Sequence, residues 1–281
     1  MRKVFLIVLF TTLCAVDVGA GNVSDDALLS RIFKTCAVKV RSVPPTRFAT
    51  GVITEIEGKQ DAVLFVSNKH VLRMSNKLEL IIPAISDSAE IIDTFDIVID
   101  LVDPKGEQLY VLADDTALDV AAIAVYKRDI QKTNKGKFRT VTVPAYIDDS
   151  SLFAGQAIEF SGYPLGLSVN RFEPLLRKGA IAGIDTLKNL IYLDADAFGG
   201  SSGSPVFLDF SFQHNLDYTK KFGVRVFIGI ISAYEPFIKQ YMNIQTGDIE
   251  MYQTENSGLA KVVPASQIKE LAAKAAARLS K

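Results

Sequence analysis

The chain has 281 residues, 48% of them apolar and 22% charged, with a formal net charge of −1. That balance excludes a disordered polymer and leaves enough apolar mass for a sizeable core in one large domain or two modest ones. A charge so close to zero supplies no global field for nucleic acid or an anionic membrane.

The first residues, MRKVFLIVLF and then TTLCAVDVGA, combine a basic start, about ten apolar residues and a small-residue exit at Gly19-Ala20. This is the three-part pattern of a secretory signal peptide, residues 1–20, with cleavage near Ala20. The apolar run is too short for a comfortable span, so no stable membrane anchor is expected after cleavage. The expected location is secreted or periplasmic. Of the two cysteines, Cys14 leaves with the leader, which removes any intramolecular disulfide from the mature chain. Cys36, in IFKTCAVKV, reads as a small buried hydrophobe.

Residues 24–36 read as a short helix, capped around Ser24 and striped by Leu28, Leu29, Ile32 and Phe33. Short β-type runs follow: AVKVRSV, FATGVITEI, AVLFVSN, LELIIPA, DIVIDLV, LYVLAD and VAAIAVY. The polar, basic stretch 131–140 reads as an exposed linker. A second group of runs comes next: TVTVPAY, AIEFSGY, LLRKGAIAGI, LIYLDAD, SPVFLD, VRVFIGIISA and LAKVVPA. The Ala-, Lys- and Leu-rich end, 265–280, reads as a helix. Two groups of short strands bounded by turn residues predict an all-β fold of two six-stranded antiparallel barrels with short N- and C-terminal helices. The expected divisions are 1–20 leader, 21–130 N-terminal helix and first barrel, 131–140 linker, and 141–281 second barrel and C-terminal helix.

The chemistry centres on FGGSSGSPVF, residues 198–207. A neutral serine hydroxyl needs a base within reach, and the base needs an orienting group. Only His70 and His214 are available. His70 ends the apolar run LFVSNKHVL, where a buried strand meets a turn. His214 lies in the polar stretch DFSFQHNLDY and reads as a surface hairpin residue. Asp119 is a lone carboxylate before the apolar strand VAAIAV; taken alone, it reads equally as a solvated turn residue.

The stretches SNKHVL, LDVAAIAV and GSSGSP resemble the three signatures of trypsin-like (chymotrypsin-fold) serine peptidases, the bacterial kind above all. The order His, Asp, Ser matches that clan and neither the subtilisin nor the α/β-hydrolase order. GYPLGL at 162–167 and FIGIISAY at 227–234 are similar to segments of the high-temperature-requirement peptidases, and no PDZ-like segment follows. The resemblance implies Ser202 as nucleophile, His70 as general base and Asp119 as the group that orients His70. It implies the Gly200 and Ser202 amides as the oxyanion hole. It also implies a protein or peptide substrate and an acyl-enzyme intermediate, with no cofactor. Ser201 stands where digestive members carry the Asp of zymogen activation, so that activation is not expected.

The resemblance assigns substrate binding to Asp196, Ser232, Ala233 and Tyr234. Asp196 lies six residues before Ser202, where a preference for Lys or Arg at P1 originates. Asp194 shares its strand face in the DAD alternation, and Tyr234 stands where open pockets carry Gly, so a small or apolar P1 is equally open. Ser232 is expected beside the triad Asp.

Rival readings are narrower. Gly199-Gly-Ser201-Ser-Gly203 matches the G-x-S-x-G elbow, with Ser201 as nucleophile, but no βαβ alternation accompanies it. A peptidase-like binding or adaptor protein without turnover remains an alternative on the same fold. Two distant histidines and one mature cysteine give no metal-ligand spacing, and no basic face supports nucleic acid binding.

Overall fold

The computed structural model describes residues 31–42, 47–132, 136–143, 151–170, 172–214 and 217–279, with the backbone alone for 210–224. The expected leader, residues 1–20, and the start of the expected N-terminal helix lie outside the described residues. Residues 31–34 are helical, in keeping with the end of that expected helix.

The strands of the first half are β1 (Ala37–Ser42), β2 (Phe48–Ile56), β3 (Lys59–Ser67), β4 (Lys77–Ile85), β5 (Ile91–Asp100), β6 (Val111–Leu112) and β7 (Ala121–Tyr126). Short helices α1 (Lys69–Leu72) and α2 (Lys127–Ile130) follow β3 and β7. Gly58, at φ 72°, makes the tight turn from β2 to β3. The apolar run AVLFVS in β3 is explained by burial on both faces. Val63 and Phe65 fill the interior of the first sheet with Ile53, Leu78 and Leu80. Leu64 and Val66 point the other way, into a core shared with Phe207, Phe227 and the C-terminal helix.

The expected first six-stranded barrel is a seven-stranded sheet in the order β5-β4-β1-β2-β3-β7-β6. Its edges, β5 and β6, do not pair. The two-residue β6 covers only Ala121 and Ala122 of β7, so among the described residues no strand pairs with the rest of that edge. A cavity of about 670 Å³ lies there, lined by β5, β7 and the C-terminal helix.

The second half is the closed six-stranded barrel that was expected, β10-β13-β12-β11-β8-β9. Its strands are β8 (Ala157–Gly162), β9 (Leu175–Asp185), β10 (Leu190–Asp194), β11 (Pro205–His214), β12 (Asp217–Met242) and β13 (Ile249–Pro264). Phe160, Ile181, Leu193, Val206, Ile228 and Val262 are among the residues that fill it. The run TVTVPAY contributes no strand over its described residues, 140–143; Val141 makes only an isolated parallel bridge to Thr54. The expected linker is not simply solvated. Lys137 bridges Ile85, and Phe138 sits edge-on against Phe95 at 6.3 Å between centroids. Two strands also run far beyond their expected ends. β12 and β13 stay paired from Pro236↔Asn256 out to Met242↔Ile249, as a two-stranded ribbon.

The C-terminal helix α3 (Ala265–Leu279) buries Ile268, Leu271 and Ala275, one stripe at helical spacing, on the core between the halves. Phe33 stacks on Phe207 at 4.6 Å, and Phe207 meets Phe227 at 5.7 Å, in that same core. Cys36 is buried there too.

A buried ionic cluster on β8, β9, β11 and β12 had no signal in the sequence. Arg225 Nε donates to Glu159 Oε2 at 3.1 Å, with both side chains almost wholly buried. Lys178 reaches Glu159 Oε1 at 2.9 Å, and Arg225 also pairs with Asp209. Such a cluster is tolerated because each charge has a partner.

Candidate active site

β3 delivers His70 to the cleft. The strand ends at Ser67, whose hydroxyl donates to Thr50 O at 2.7 Å. Asn68 Nδ2 then donates to Asp119 O at 2.6 Å. These bonds hold the His70 and Asp119 turns together. Leu118 and Val120, both buried, anchor Asp119 on either side.

The Asp119 carboxylate accepts twice from His70: Oδ1 from the backbone N–H at 3.0 Å and Oδ2 from Nδ1 at 2.5 Å. A carboxylate on Nδ1 makes that nitrogen the N–H and leaves Nε2 with a lone pair. The side chains are 48% (His70) and 27% (Asp119) exposed, so the ring faces the cleft and the acid lies behind it. Burial is the largest influence on Asp119 and pushes its carboxyl up. The hydrogen bonds and charge of His70, with the charge of Lys69, outweigh it and hold the carboxyl below its ordinary range.

The loop from Gly199 to Ser204 is held by its carbonyls. Gly199 O accepts from Leu165 N at 2.5 Å, and Ser201 O from Ser204 N at 3.0 Å. Gly200 O accepts from the Thr50 hydroxyl at 2.8 Å, and Ser202 O from Thr50 N at 2.8 Å. Because a trans peptide points its N–H opposite its C=O, anchoring Gly199 O on Leu165 and Ser201 O on Ser204 turns the amides of Gly200 and Ser202 away from those partners. Ser201, Gly203 and Ser204 spend their own N–H groups on Phe198 O, Ile231 O and Ser201 O. Among the described residues, the Gly200 and Ser202 amides have no such acceptor.

Two glycines are required here. Gly200 has φ 92°, and a Cβ on it would meet Tyr163 O at 2.4 Å. Gly203 has φ 85°, and a Cβ there would meet Thr50 O at 1.9 Å. Ser204, where the resembled motif has glycine, fits because Gly162 faces it: a Cβ on Gly162 would lie 2.0 Å from Ser204 Oγ.

The two adjacent serines differ in environment. Ser201 is fully buried, and its hydroxyl accepts from Phe198 N at 3.3 Å. Ser202 is half-buried at the cleft. The strand-to-helix turn of the esterase elbow is not formed, since β11 follows. No hydrogen bond joins the Ser202 hydroxyl to His70. His214 closes β11, paired in register with Asp217.

Asp194 and Asp196 are exposed while Ala195 and Ala197 are buried, the alternation expected of that stretch. Asp196 Oδ1 faces the bare Cα of Gly258. Arg177, on β9, reaches Asp196 Oδ2 at 3.9 Å and lies over the Phe198 ring at 5.0 Å. Ala233 and Tyr234 are exposed on β12. Ser232 is buried, but its hydroxyl donates to Lys261 O at 3.3 Å and not to Asp119.

Sequence reasoning missed Thr50, Arg177 and Lys39. Lys39 donates to Gly166 O at 2.8 Å between the rings of Phe48 and Tyr163, which pins the Pro164–Gly166 turn beside Gly199. No local signal marks Lys39 or Thr50, because the carbonyls they donate to, Gly166 and Gly200, lie 127 and 150 residues away. Among the described residues, no group of three or more His, Cys, Asp or Glu gathers that could hold a metal ion.

Two packed β units with a carbonyl-anchored Gly-Ser loop between them define a serine peptidase of the chymotrypsin type, a hydrolase. Residues 49–211 match the family model of the trypsin-like peptidase domain, more than half of the chain, and the chain belongs to that family. Among solved structures it is similar in fold to the serine endoprotease from Yersinia pestis, with 15% identity and a TM-score of 0.51 over 91% of this chain and 68% of that one. It is also similar to the HtrA-type protease AlgW with a tripeptide, with 16% identity and a TM-score of 0.50 over 88% of this chain and 62% of that one. No curated protein matches it.

Proposed function

We propose that this chain is an exported endopeptidase that cleaves peptide bonds through Ser202, His70 and Asp119. The Ser202 hydroxyl attacks the scissile carbonyl carbon while its proton passes to His70 Nε2. The carbonyl oxygen takes up the negative charge and receives the Gly200 and Ser202 N–H groups. Collapse breaks the C–N bond, and the His70 proton goes to the departing amine. Water, deprotonated by the same nitrogen, then releases the acyl group from Ser202. Asp119 holds the ring and stabilises the imidazolium.

The observation that carries this reading is the pair of amides at 200 and 202. Among the described residues these two N–H groups have no acceptor, whereas those of Ser201, Gly203 and Ser204 are each bonded. Export rests on the leader pattern, with a mature N-terminus near Gly21. Among the described residues, no helix is long and apolar enough to cross a membrane.

A second reading, a peptidase-like binding protein without turnover, draws on the missing Ser202–His70 hydrogen bond. Such bonds often tighten only with substrate present. A fluorophosphonate probe separates the two. Labelling of wild type and Ser201→Ala but not Ser202→Ala supports the peptidase; an unlabelled wild type selects the binding protein.

A further inference from the structure

The two-stranded ribbon of β12 and β13 beyond the barrel is unusual in what it exposes. Phe237, Ile238, Met242, Met251 and Tyr252 are each more than half exposed. Neighbours such as Phe237 and Ile238, or Met251 and Tyr252, point to opposite faces of a strand, so each face of the ribbon carries exposed apolar side chains among its polar ones. An isolated two-stranded ribbon is marginal in water, and an exposed apolar surface on one marks a place where something binds.

Continuity with the catalytic loop says what binds. β11 accompanies β12 only as far as the Pro205↔Ile230 pair. Ile231 is then tied to the loop itself, accepting from Gly203 N at 2.7 Å and donating to Ser204 O at 2.9 Å. From Ser232 to Met242, β12 has β13 on one side and, among the described residues, no strand on the other. Pro236 lacks an N–H, and a register shift separates it from Tyr234. The edge is therefore divided into Ser232–Tyr234 beside the loop and Phe237–Met242 beyond it.

A peptide laid antiparallel on this edge, with its scissile bond at Ser202, has its earlier residues opposite 237–242. Charge narrows the occupant further. Of the four carboxylates in residues 235–256, Glu255 pairs with Lys239 and Glu235 with Lys261, which leaves Asp248 and Glu250 as the ribbon's excess negative charge. Two such ribbons repel each other, whereas a chain bearing Lys or Arg is attracted.

We infer that the β12–β13 ribbon is an extended substrate-binding arm. It takes an unfolded polypeptide, apolar and cationic, upstream of the bond that is cut. The site adds a strand to an open edge and covers apolar side chains at once. This inference rests on the reading of Ser202 as nucleophile.

Two fluorogenic peptides test it, sharing one core from P4 to P2′. One is extended at its N-terminus by eight residues alternating Leu and Lys. Wild type is expected to cleave the extended peptide at least tenfold more efficiently in kcat/KM, with the gain shrinking as salt rises. Phe237→Ser with Tyr241→Ser is expected to abolish the gain and leave the core peptide within twofold. Fluorescence anisotropy with Ser202→Ala supplies a readout independent of turnover: the extended peptide should bind at least tenfold more tightly than the core. Equal kcat/KM and equal binding of the two peptides overturns the inference. So does a gain that survives the double substitution. A ribbon that instead joins two copies would show in sedimentation as a dimer dissolved by the double substitution, with no gain from extension; that too overturns it. A wild type that binds the extended peptide preferentially but is not labelled by fluorophosphonate keeps the arm and removes only the peptidase reading.

Discussion

The hydroxyl of Thr50 donates to the carbonyl of Gly200 at 2.8 Å, across 150 residues of sequence. The same oxygen accepts from Tyr163 N at 3.0 Å, and the Thr50 amide donates to Ser202 O. One buried side chain on β2 thus ties the first sheet, the Pro164–Gly166 turn and the proposed oxyanion loop together. Thr50→Val keeps shape and backbone bonds but loses the hydroxyl. Its kcat is expected to fall roughly 10²-fold, the lower end of the cost of an oxyanion donor, with KM nearly unchanged. Thr50→Ser should restore most of the rate. Steady-state kinetics beside a thermal melt checks both.

Asp119→Asn tests the orienting role. The amide places an NH₂ or a weaker acceptor at Nδ1 and favours the wrong tautomer of His70. A loss of about 10⁴ in kcat is expected at neutral pH with the fold intact. A variant within tenfold of wild type on a peptide substrate removes Asp119 from the mechanism.

Gly203→Ala is expected to be costly for a steric reason. The new Cβ would lie 1.9 Å from Thr50 O, on a residue at φ 85°. A loss of at least about 2 kcal/mol is expected, read as a lower urea midpoint. Gly199→Ala meets nothing within 4 Å and serves as the matched control.

The buried cluster sets an acid limit on stability. Burial, the largest influence on Glu159, pushes its carboxyl up, but the hydrogen bonds and charges of Arg225 and Lys178 hold it below its ordinary value of 4.5. With the folded pKa below the unfolded one, ionised Glu159 contributes stability fully present above about pH 4.5. That contribution fades as pH falls through the lower folded value. Glu159→Gln should cost about 3 kcal/mol at pH 7, as breaking a buried pair does, and should flatten the fall in stability below pH 4.5. Urea titrations at pH 7 and pH 3.5 measure both effects.

Arg177 bears on what is cut. Its guanidinium lies 3.9 Å from Asp196, the carboxylate proposed for a basic P1 side chain, and offsets its charge. Arg177→Met is expected to raise kcat/KM for P1 Lys relative to P1 Leu severalfold, and Asp196→Asn to lower it. No change in that ratio in either variant would take the pair out of P1 selection.

Much of the fold was legible because strand signals are local. β1 to β5 and β7 to β13 each contain an apolar or alternating run bounded by Gly, Pro, Asn or Asp, and α3 shows its stripe in plain sequence. Two features were not legible. The first sheet stays open because β6 is only two residues long, a matter of pairing partners. The ribbon follows from the continued pairing of β12 with β13 through residues 235–256, which lie between the runs VRVFIGIISA and LAKVVPA.

At the candidate site, the sequence by itself determined which residue types stand in which order: His70, then Asp119, then two serines in a glycine frame. Tertiary structure alone decided that His70 and Asp119 share two hydrogen bonds, that Ser201 is buried while Ser202 faces the cleft, and that Arg177 sits against Asp196. The physical reason is the range of the forces. Turn and strand preferences act over a few residues and are written locally. The direction of an N–H at Gly200 is set by Thr50 and Leu165, which reach it only once two sheets have packed.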